Sequence, residues 1–211
     1  MLRGFINFFN HSERGVTLVE MMVTVSILSV TSAIIYQGFI LSFEHYNKGQ
    51  RKAAVVQDAR GAMELMSRSI REARSFSEAT TNAVTYVQYD YDSNNDSSDD
   101  TIRLSIESIG GVNRVRKDVN SALERYLTDF DDNVNSLVFE YFSTNAALDT
   151  DGDGVANASE IDAGGNDNGS LDGSELSKIN YVEISLNLEK TSGGKTSDTF
   201  LATSVYLRNI R

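Results

Sequence analysis

The sequence is poor in the residues that support most enzyme chemistry. It contains no cysteine and no proline, and only two of its 211 residues are histidines. The lack of cysteine excludes disulfides, cysteine-ligated zinc sites and iron–sulfur clusters. Beyond residue 15 the one histidine is His45, so the usual pairs of nucleophile and base cannot be assembled. We therefore expect no catalytic site.

Positive charge is also scarce. The chain has 19 lysines and arginines against 30 aspartates and glutamates, which gives a formal net charge of −11. So acidic a surface repels phosphate backbones. The composition therefore argues against nucleic-acid binding by the part of the chain that follows the first helix.

The strongest positive feature is an uncharged run near the amino terminus, at residues 21–43. At about 1.5 Å of rise per residue, a helix over these 23 residues is about 35 Å long, whereas the hydrocarbon core of a bilayer is about 30 Å thick. The run therefore predicts a transmembrane helix at about residues 21–43.

A short polar leader precedes this run. In a secretory signal the small-residue cleavage site follows the apolar stretch, whereas here the candidate site, Gly15, precedes it. Cleavage after Gly15 would therefore leave the membrane helix attached to the mature protein.

The start of the chain resembles the leader of type IV prepilins and of type II secretion pseudopilins. The resemblance rests on the run Arg14-Gly15-Val16-Thr17-Leu18-Val19-Glu20 and on the apolar residues after it. In that family a membrane-embedded peptidase cuts after the glycine and methylates the new amino terminus. The resemblance implies a leader peptide at residues 1–15 and N-methylation of Val16, where the family more often has phenylalanine.

Glu20 is a lone carboxylate at the edge of the apolar run. An ionised side chain at membrane depth costs several kcal/mol unless it finds a partner or reaches the interface. In the resembled family, the glutamate at the fifth mature position pairs with the methylated amine of a neighbouring subunit in a helical filament. The resemblance therefore implies an assembly role for Glu20. The alternative is an interfacial glutamate that reaches the lipid headgroups.

The spacing of the apolar residues along the chain predicts an α+β fold. A helical period continues to about residue 76 on a stripe of residues three and four apart, namely Val56, Ala59, Met63, Met66, Ile70 and Ala73. From Ala83 the period becomes two, which predicts antiparallel strands with one wet face at about 84–89, 101–106, 112–116, 136–142, 181–188 and 200–207. The resemblance implies the pilin version of this fold, in which a long N-terminal helix at residues 16–76 packs on an antiparallel β-sheet head at residues 77–211.

Two stretches, residues 62–71 and 204–209, resemble the minor pilins of the PilW type and the GspJ pseudopilins. The resemblance implies a minor pilin of a type IV pilus, or alternatively a pseudopilin of a type II secretion system. Its partners would be other pilins or pseudopilins, the prepilin peptidase and the inner membrane. The head would lie in the periplasm and later on the pilus filament or cell surface. A third hypothesis is a membrane-tethered, calcium-dependent binding protein that never polymerises.

Residues 149–160 fit a twelve-residue calcium loop of the EF-hand type. Such a loop needs oxygen ligands at set positions, a glycine at the sixth and a closing glutamate at the twelfth. The ligands predicted by this spacing are Asp149, Asp151, Asp153, the Val155 carbonyl, Asn157 and Glu160. Hard oxygen donors in this number favour calcium as the cofactor. The alternative is an acidic surface loop that binds no ion.

A second candidate calcium loop closes at Glu175. Its ligands would be Asn166, Asn168, Asp172 and Glu175, but Gly164 stands where the first carboxylate is expected. Asp162 or Asp167 would replace that carboxylate only with altered geometry. Both loops lie in an insertion at about residues 145–178, and we expect calcium to order it between two strands.

Overall fold

A computed structural model of the chain describes residues 15–88, 99–129, 131–192 and 194–208. Apart from Gly15, the predicted leader lies outside the described residues. The chain divides into two compact units, Met1–Asn47 and Lys48–Arg211. We refer to Lys48–Arg211 as the second unit.

Helix α1 spans Leu18–Arg71. It is the one helix among the described residues that is long and apolar enough to cross a membrane, and its apolar stretch is not buried within the molecule. Four hydroxyl side chains in this stretch donate to the carbonyl oxygen four residues earlier, those of Thr24, Ser26, Ser29 and Thr31. Because these hydroxyl groups are satisfied within the helix, they do not require water.

The later part of α1 buries one stripe of side chains. The buried residues are Val55, Ala59, Ala62, Met63, Met66, Ser69 and Ile70, three and four residues apart. The helix ends at Arg71, so its predicted extension to residue 76 is wrong. Residues Ala73–Thr80 form strand β1 instead. Shifts of register at two points of β1 bury Ala73, Phe76 and Ala79, every third residue, which imitates a helical period.

The first sheet has five antiparallel strands in sequence order, so each strand pairs with the next along the chain. They are β1 and then β2 (Ala83–Gln88), β3 (Thr101–Ile109), β4 (Val112–Val119) and β5 (Ala122–Tyr126). Four of the five residues of β5 are exposed, so it lacks the alternation that would have predicted it from sequence.

The second sheet has four antiparallel strands in the order β7-β6-β8-β9. Their bounds are Asp132–Ser143 (β6), Ala156–Asn157 (β7), Tyr181–Ser192 (β8) and Lys195–Tyr206 (β9). Alternate residues of β8 are fully buried, namely Val182, Ile184, Leu186 and Leu188. They belong to the same hydrophobic core as the buried stripe of α1. The α+β prediction is therefore confirmed, with two antiparallel sheets where one was expected.

The insertion lies between β6 and β8, whose pairing ends at Phe142 and Tyr181. The rings of these two residues stack with their centroids 4.8 Å apart. The insertion contains β7, the short helix α2 (Ala158–Ala163) and one 3₁₀ turn (Leu176–Lys178). Four of its apolar side chains are buried in the core, those of Ala156, Ile161, Leu176 and Ile179.

Candidate functional site

Glu20 and Thr17 form a capping box at the start of α1. The backbone N–H and the hydroxyl of Thr17 donate to Glu20 Oε2 at 2.9 and 3.0 Å, and the Glu20 N–H donates to Thr17 Oγ1 at 3.2 Å. This exchange satisfies N–H groups that a helix otherwise leaves without partners. The spacing Thr-x-x-Glu is the sequence signal of such a box, so this role of Glu20 was predictable from Thr17.

The peptide bond after Gly15 lies just before the helix. Residues 15–17 are not helical, and all three are exposed. The bond between Gly15 and Val16 is therefore accessible, and Glu20 lies one helical turn further along the chain.

Three carboxylates converge in the loop at residues 149–160. One carboxylate oxygen from each of Asp149, Asp151 and Asp153 lies within 4.8 Å of the other two. The Gly152 and Gly154 N–H groups donate to the two oxygens of Asp149 at 2.7 and 3.0 Å. Both glycines have positive φ, 79° and 99°, which side chains disfavour, so the turn depends on them.

Glu160 closes this loop from the first turn of α2, where it forms a capping box with Asn157. Its Oε1 accepts hydrogen bonds from the Thr150 hydroxyl at 2.7 Å and from the Thr150 N–H at 2.8 Å. The hydroxyl bond, then the backbone bonds from Asn157 and Thr150, lower the pKa of Glu160 to about 2. Glu160 therefore faces the loop backbone, and binding an ion through it would require an exchange of some of these bonds.

A second acidic triad shows what is special about this loop. Oxygens of Asp58, Asp129 and Asp132 approach one another equally closely. That triad contains its own cation, because Lys190 Nζ lies 3.0 Å from Asp58 and 3.2 Å from Asp132. Residues 149–160 include no lysine or arginine at all. Their donor set therefore fits a divalent cation of hard character, which would supply the missing positive charge.

Asp162 supplies the carboxylate that the second loop lacks at Gly164. Its two oxygens accept hydrogen bonds from the Asn168 N–H at 3.1 Å and the Gly169 N–H at 2.8 Å. In the first loop the Gly154 N–H donates to Asp149 in the same way. Asp162 lies two residues before Gly164, the first position of a twelve-residue calcium loop that closes at Glu175. A turn after α2 accommodates these two extra residues.

The other predicted ligands of the second loop also lie close together. Glu175 accepts hydrogen bonds from the Asn166 and Asp172 N–H groups at 2.8 and 3.1 Å. The side-chain amides of Asn166 and Asn168 donate to Asp172 at 3.0 and 2.8 Å. Asp162 and Glu175 are both buried. The structure therefore brings the four predicted residues together and adds Asp162 to them.

Comparison with known proteins bears on the amino-terminal site. Residues 10–36 match the family model described as the prokaryotic N-terminal methylation motif. The chain carries this methylation motif. The motif includes Gly15, Val16 and Glu20, and it supports a place in the type IV pilin superfamily.

Two further comparisons concern the chain as a whole. A type IV-like pilin from Thermus thermophilus is similar in structure, with a TM-score of 0.43 and 8% sequence identity, over 74% of this chain and 98% of that chain. No curated protein sequence matches this chain significantly. The methylation motif ends at residue 36, well inside α1.

Proposed function

We propose that this protein is a minor pilin of a type IV pilus. It is made as a precursor, cleaved after Gly15, methylated at Val16 and incorporated into a helical filament. The methylation motif at residues 10–36 carries the proposal. The exposed apolar stretch of α1 supports it, because such a stretch needs either lipid or the α1 helices of other subunits around it.

Glu20 is the residue that pairs with a neighbouring subunit. Both hydrogen bonds from Thr17 go to Oε2, and Oε1 accepts none from the part of the chain that is described. Oε1 is therefore the atom offered to the methylated ammonium group at the amino terminus of the next subunit. A pair of opposite charges within a filament core neutralises two groups that are costly to bury singly, so it fixes the axial position of each subunit.

Two variants separate the charge of Glu20 from its capping role. Glu20→Gln removes the charge and keeps an oxygen that can accept the Thr17 hydrogen bonds. Thr17→Ala keeps the charge and removes both capping hydrogen bonds that use the Thr17 hydroxyl. We expect Glu20→Gln to be cleaved and methylated normally but to be absent from purified filaments, while Thr17→Ala is incorporated. Mass spectrometry of the mature amino terminus measures processing, and immunoblotting of sheared filaments measures incorporation.

If the Glu20→Gln variant enters filaments at the wild-type level, Glu20 does not pair with the amino terminus of the neighbouring subunit. An uncut precursor in cells with an active prepilin peptidase would refute the whole proposal. If the protein is recovered with a type II secretion apparatus instead of a pilus, it is a pseudopilin, which carries the same motif.

Calcium binds the insertion and orders it. Asp149, Asp151, Asp153, the Val155 carbonyl, Asn157 and Glu160 hold the first ion, and Asp162, Asn166, Asn168, Asp172 and Glu175 hold the second. Support comes from the convergence of three carboxylates with no basic residue in the loop. Extracellular calcium modules have Kd values on the order of 10⁻⁴ to 10⁻³ M. With a Kd of about 1 mM, calcium at about 10 mM stabilises the folded state by about 1.4 kcal/mol.

Titration calorimetry and thermal melting of the full-length chain in detergent test this binding. We expect calcium to raise the melting temperature and EDTA to reverse the rise. The double variant Asp151→Asn, Asp153→Asn should lose one binding event and keep the other. Asp162→Asn should lose the binding event of the second loop and keep that of the first. No binding heat and no rise in melting temperature at about 10 mM calcium would show that the loops are ordered by their own hydrogen bonds.

A further inference from the structure

One face of the second sheet carries negative charge only. The outward side chains of β6, β8 and β9, those that alternate with the buried ones, include Glu140, Glu183, Glu189 and Asp198. Among the residues described, the outward register of these three strands holds no lysine or arginine; Lys195, exposed at the first position of β9, has the register of the buried side. Lys190 belongs to the buried side, where it binds Asp58. We call this surface the acidic face.

The carboxylates of the acidic face oppose one another across strands. Glu140 pairs with Glu183 between β6 and β8, and Glu189 pairs with Asp198 between β8 and β9. Side chains of directly opposed residues are about 5 Å apart at Cβ, and like charges there destabilise a sheet. Two such pairs on one face are a local charge conflict. The side-chain amide of Asn135 donates to Glu189 Oε2 at 2.9 Å, but this amide is neutral and leaves the repulsion within both pairs in place. A positively charged partner would relieve it.

Aromatic rings lie beside these carboxylates. Tyr181 stacks between Phe142 and Tyr206, with ring centroids 4.8 and 5.0 Å away. Tyr206 is 64% exposed. Glu183 is two residues from Tyr181 on the same side of β8. Arginine suits this combination, because its guanidinium stacks on aromatic rings and also forms paired hydrogen bonds with carboxylates.

Helix α1 of the second unit carries the matching charges. Arg60, Arg68 and Arg71 are exposed. At about 100° per residue, the three lie within about 80° of one another around the helix, on the side away from the buried stripe. We call this surface the arginine face. Because the buried sides of α1 and of the second sheet share one core, the arginine face and the acidic face point away from each other. They cannot meet within one molecule.

We propose that the acidic face binds the arginine face of a second copy of this chain. The spacings agree, since Arg60 and Arg71 are about 16 Å apart along the helix and Glu183 and Glu189 are about 20 Å apart along β8. A contact between two different faces leaves one face free on each partner, so it repeats head to tail. Such a contact suits a filament, but it depends only on residues of the second unit and does not require processing at Gly15.

Energy transfer between full-length chains in lipid vesicles tests the contact. Because the chain has no cysteine, a single Ser108→Cys substitution at an exposed position gives one dye site. Donor-labelled and acceptor-labelled chains are reconstituted together at low surface density. We expect energy transfer well above the random level at about 0.05 M salt, and its decline as salt shortens the screening length from about 14 Å to about 3 Å at 1 M.

Charge reversals make the test specific. The acidic-face variant Glu140→Arg, Glu183→Arg and the arginine-face variant Arg60→Glu, Arg71→Glu should each lower self-association about tenfold. A mixture of the two variants should restore association, because each then presents the face that the other needs. Both variants keep the same membrane helix, so association through that helix would survive in all samples.

Glu64→Arg is the matched control. Glu64 lies on the arginine face, where it makes only an exposed 3.7 Å contact with Arg68. The substitution changes net charge by the same amount as Glu183→Arg, but it should strengthen association rather than weaken it. The proposal is overturned if wild-type transfer is random, if the mixture of reversed variants stays unassociated, or if Glu64→Arg weakens association. None of these outcomes bears on incorporation through Glu20, which the filament assay measures separately.

Discussion

Lys190 joins three elements of the second unit, so its removal should be costly. Its Nζ lies 3.0 Å from Asp58 on α1 and 3.2 Å from Asp132 on β6, and Asp132 is fully buried. Burial raises the pKa of Asp132, although Lys190 partly offsets this effect. Burial alone would lower the pKa of Lys190, but the hydrogen bonds to Asp58 and Asp132 outweigh it and raise that pKa.

Lys190→Met retains most of the side-chain volume and leaves Asp58, Asp132 and the more distant Asp129 without their cation. Breaking a buried ion pair by removing one partner costs about 3–5 kcal/mol. In a chain of this size, each kcal/mol lowers the melting temperature by about 2–4 °C. We therefore expect a fall of about 6–20 °C at pH 7, measured by thermal melting of the full-length chain in detergent.

The cost of Lys190→Met should shrink in acid. A raised pKa means that protonation of Asp132 favours the folded state, so its contribution to stability is present below its ordinary pKa and is lost as pH rises through the folded value. Without Lys190, the ionised form of Asp132 is still less favourable. The difference between wild type and variant is therefore greatest at neutral pH. It falls as pH drops from the higher folded pKa of Asp132 in the variant to the lower one in the wild type.

Two comparisons sharpen this result. Arg68→Met removes an ion pair whose side chains are 69% and 76% exposed, so it should cost less than about 0.5 kcal/mol. Adding Asp132→Asn to Lys190→Met should restore much of the stability, because the buried charge is gone. A loss below about 1 kcal/mol for Lys190→Met at pH 7, or an equal loss for Arg68→Met, would refute the reasoning.

Three further substitutions test the packing and the loops. Tyr86→Phe removes the buried 2.6 Å hydrogen bond to Ser69 of α1 and should lower the free energy of unfolding by about 1 kcal/mol in urea titrations. Gly165→Ala would place a Cβ in steric overlap with Glu175 Oε1, so it should displace Glu175 and remove one calcium-binding event in calorimetry while the other persists. Asn157→Ala removes the cap of α2 and should cost about 1 kcal/mol in thermal melts with EDTA present.

Local patterns explain which parts of the fold could be predicted. The membrane-length helix and the buried strand β8 follow from composition and period alone, because each reports contacts made by consecutive residues. Strand β1 was missed because its irregular register buries every third residue, and β5 because hardly any of it is buried. Both failures arise where tertiary pairing, rather than local period, decides the structure.

The candidate sites also divide into features that a local sequence pattern predicts and features that only the folded chain brings together. The first loop keeps the spacing of a known motif, so its carboxylates could be named from sequence, and the structure places three of them together. Asp162 enters the second loop through a turn that adds two residues, and no fixed spacing reports such a turn. The cap made by Glu20 was predictable from Thr17, but the apolar run after it suggested a membrane role first.

The segment between β6 and β8 leaves and re-enters the sheet at neighbouring points, because Phe142 and Tyr181 are paired. Evolution can lengthen or shorten a chain at such a place without disturbing the ladder on either side. Ile161, Leu176 and Ile179 nevertheless fill part of the interior. A homologue with a plain hairpin here would therefore need bulkier residues elsewhere to occupy that volume, and compensating changes of this kind should accompany every deletion of the segment.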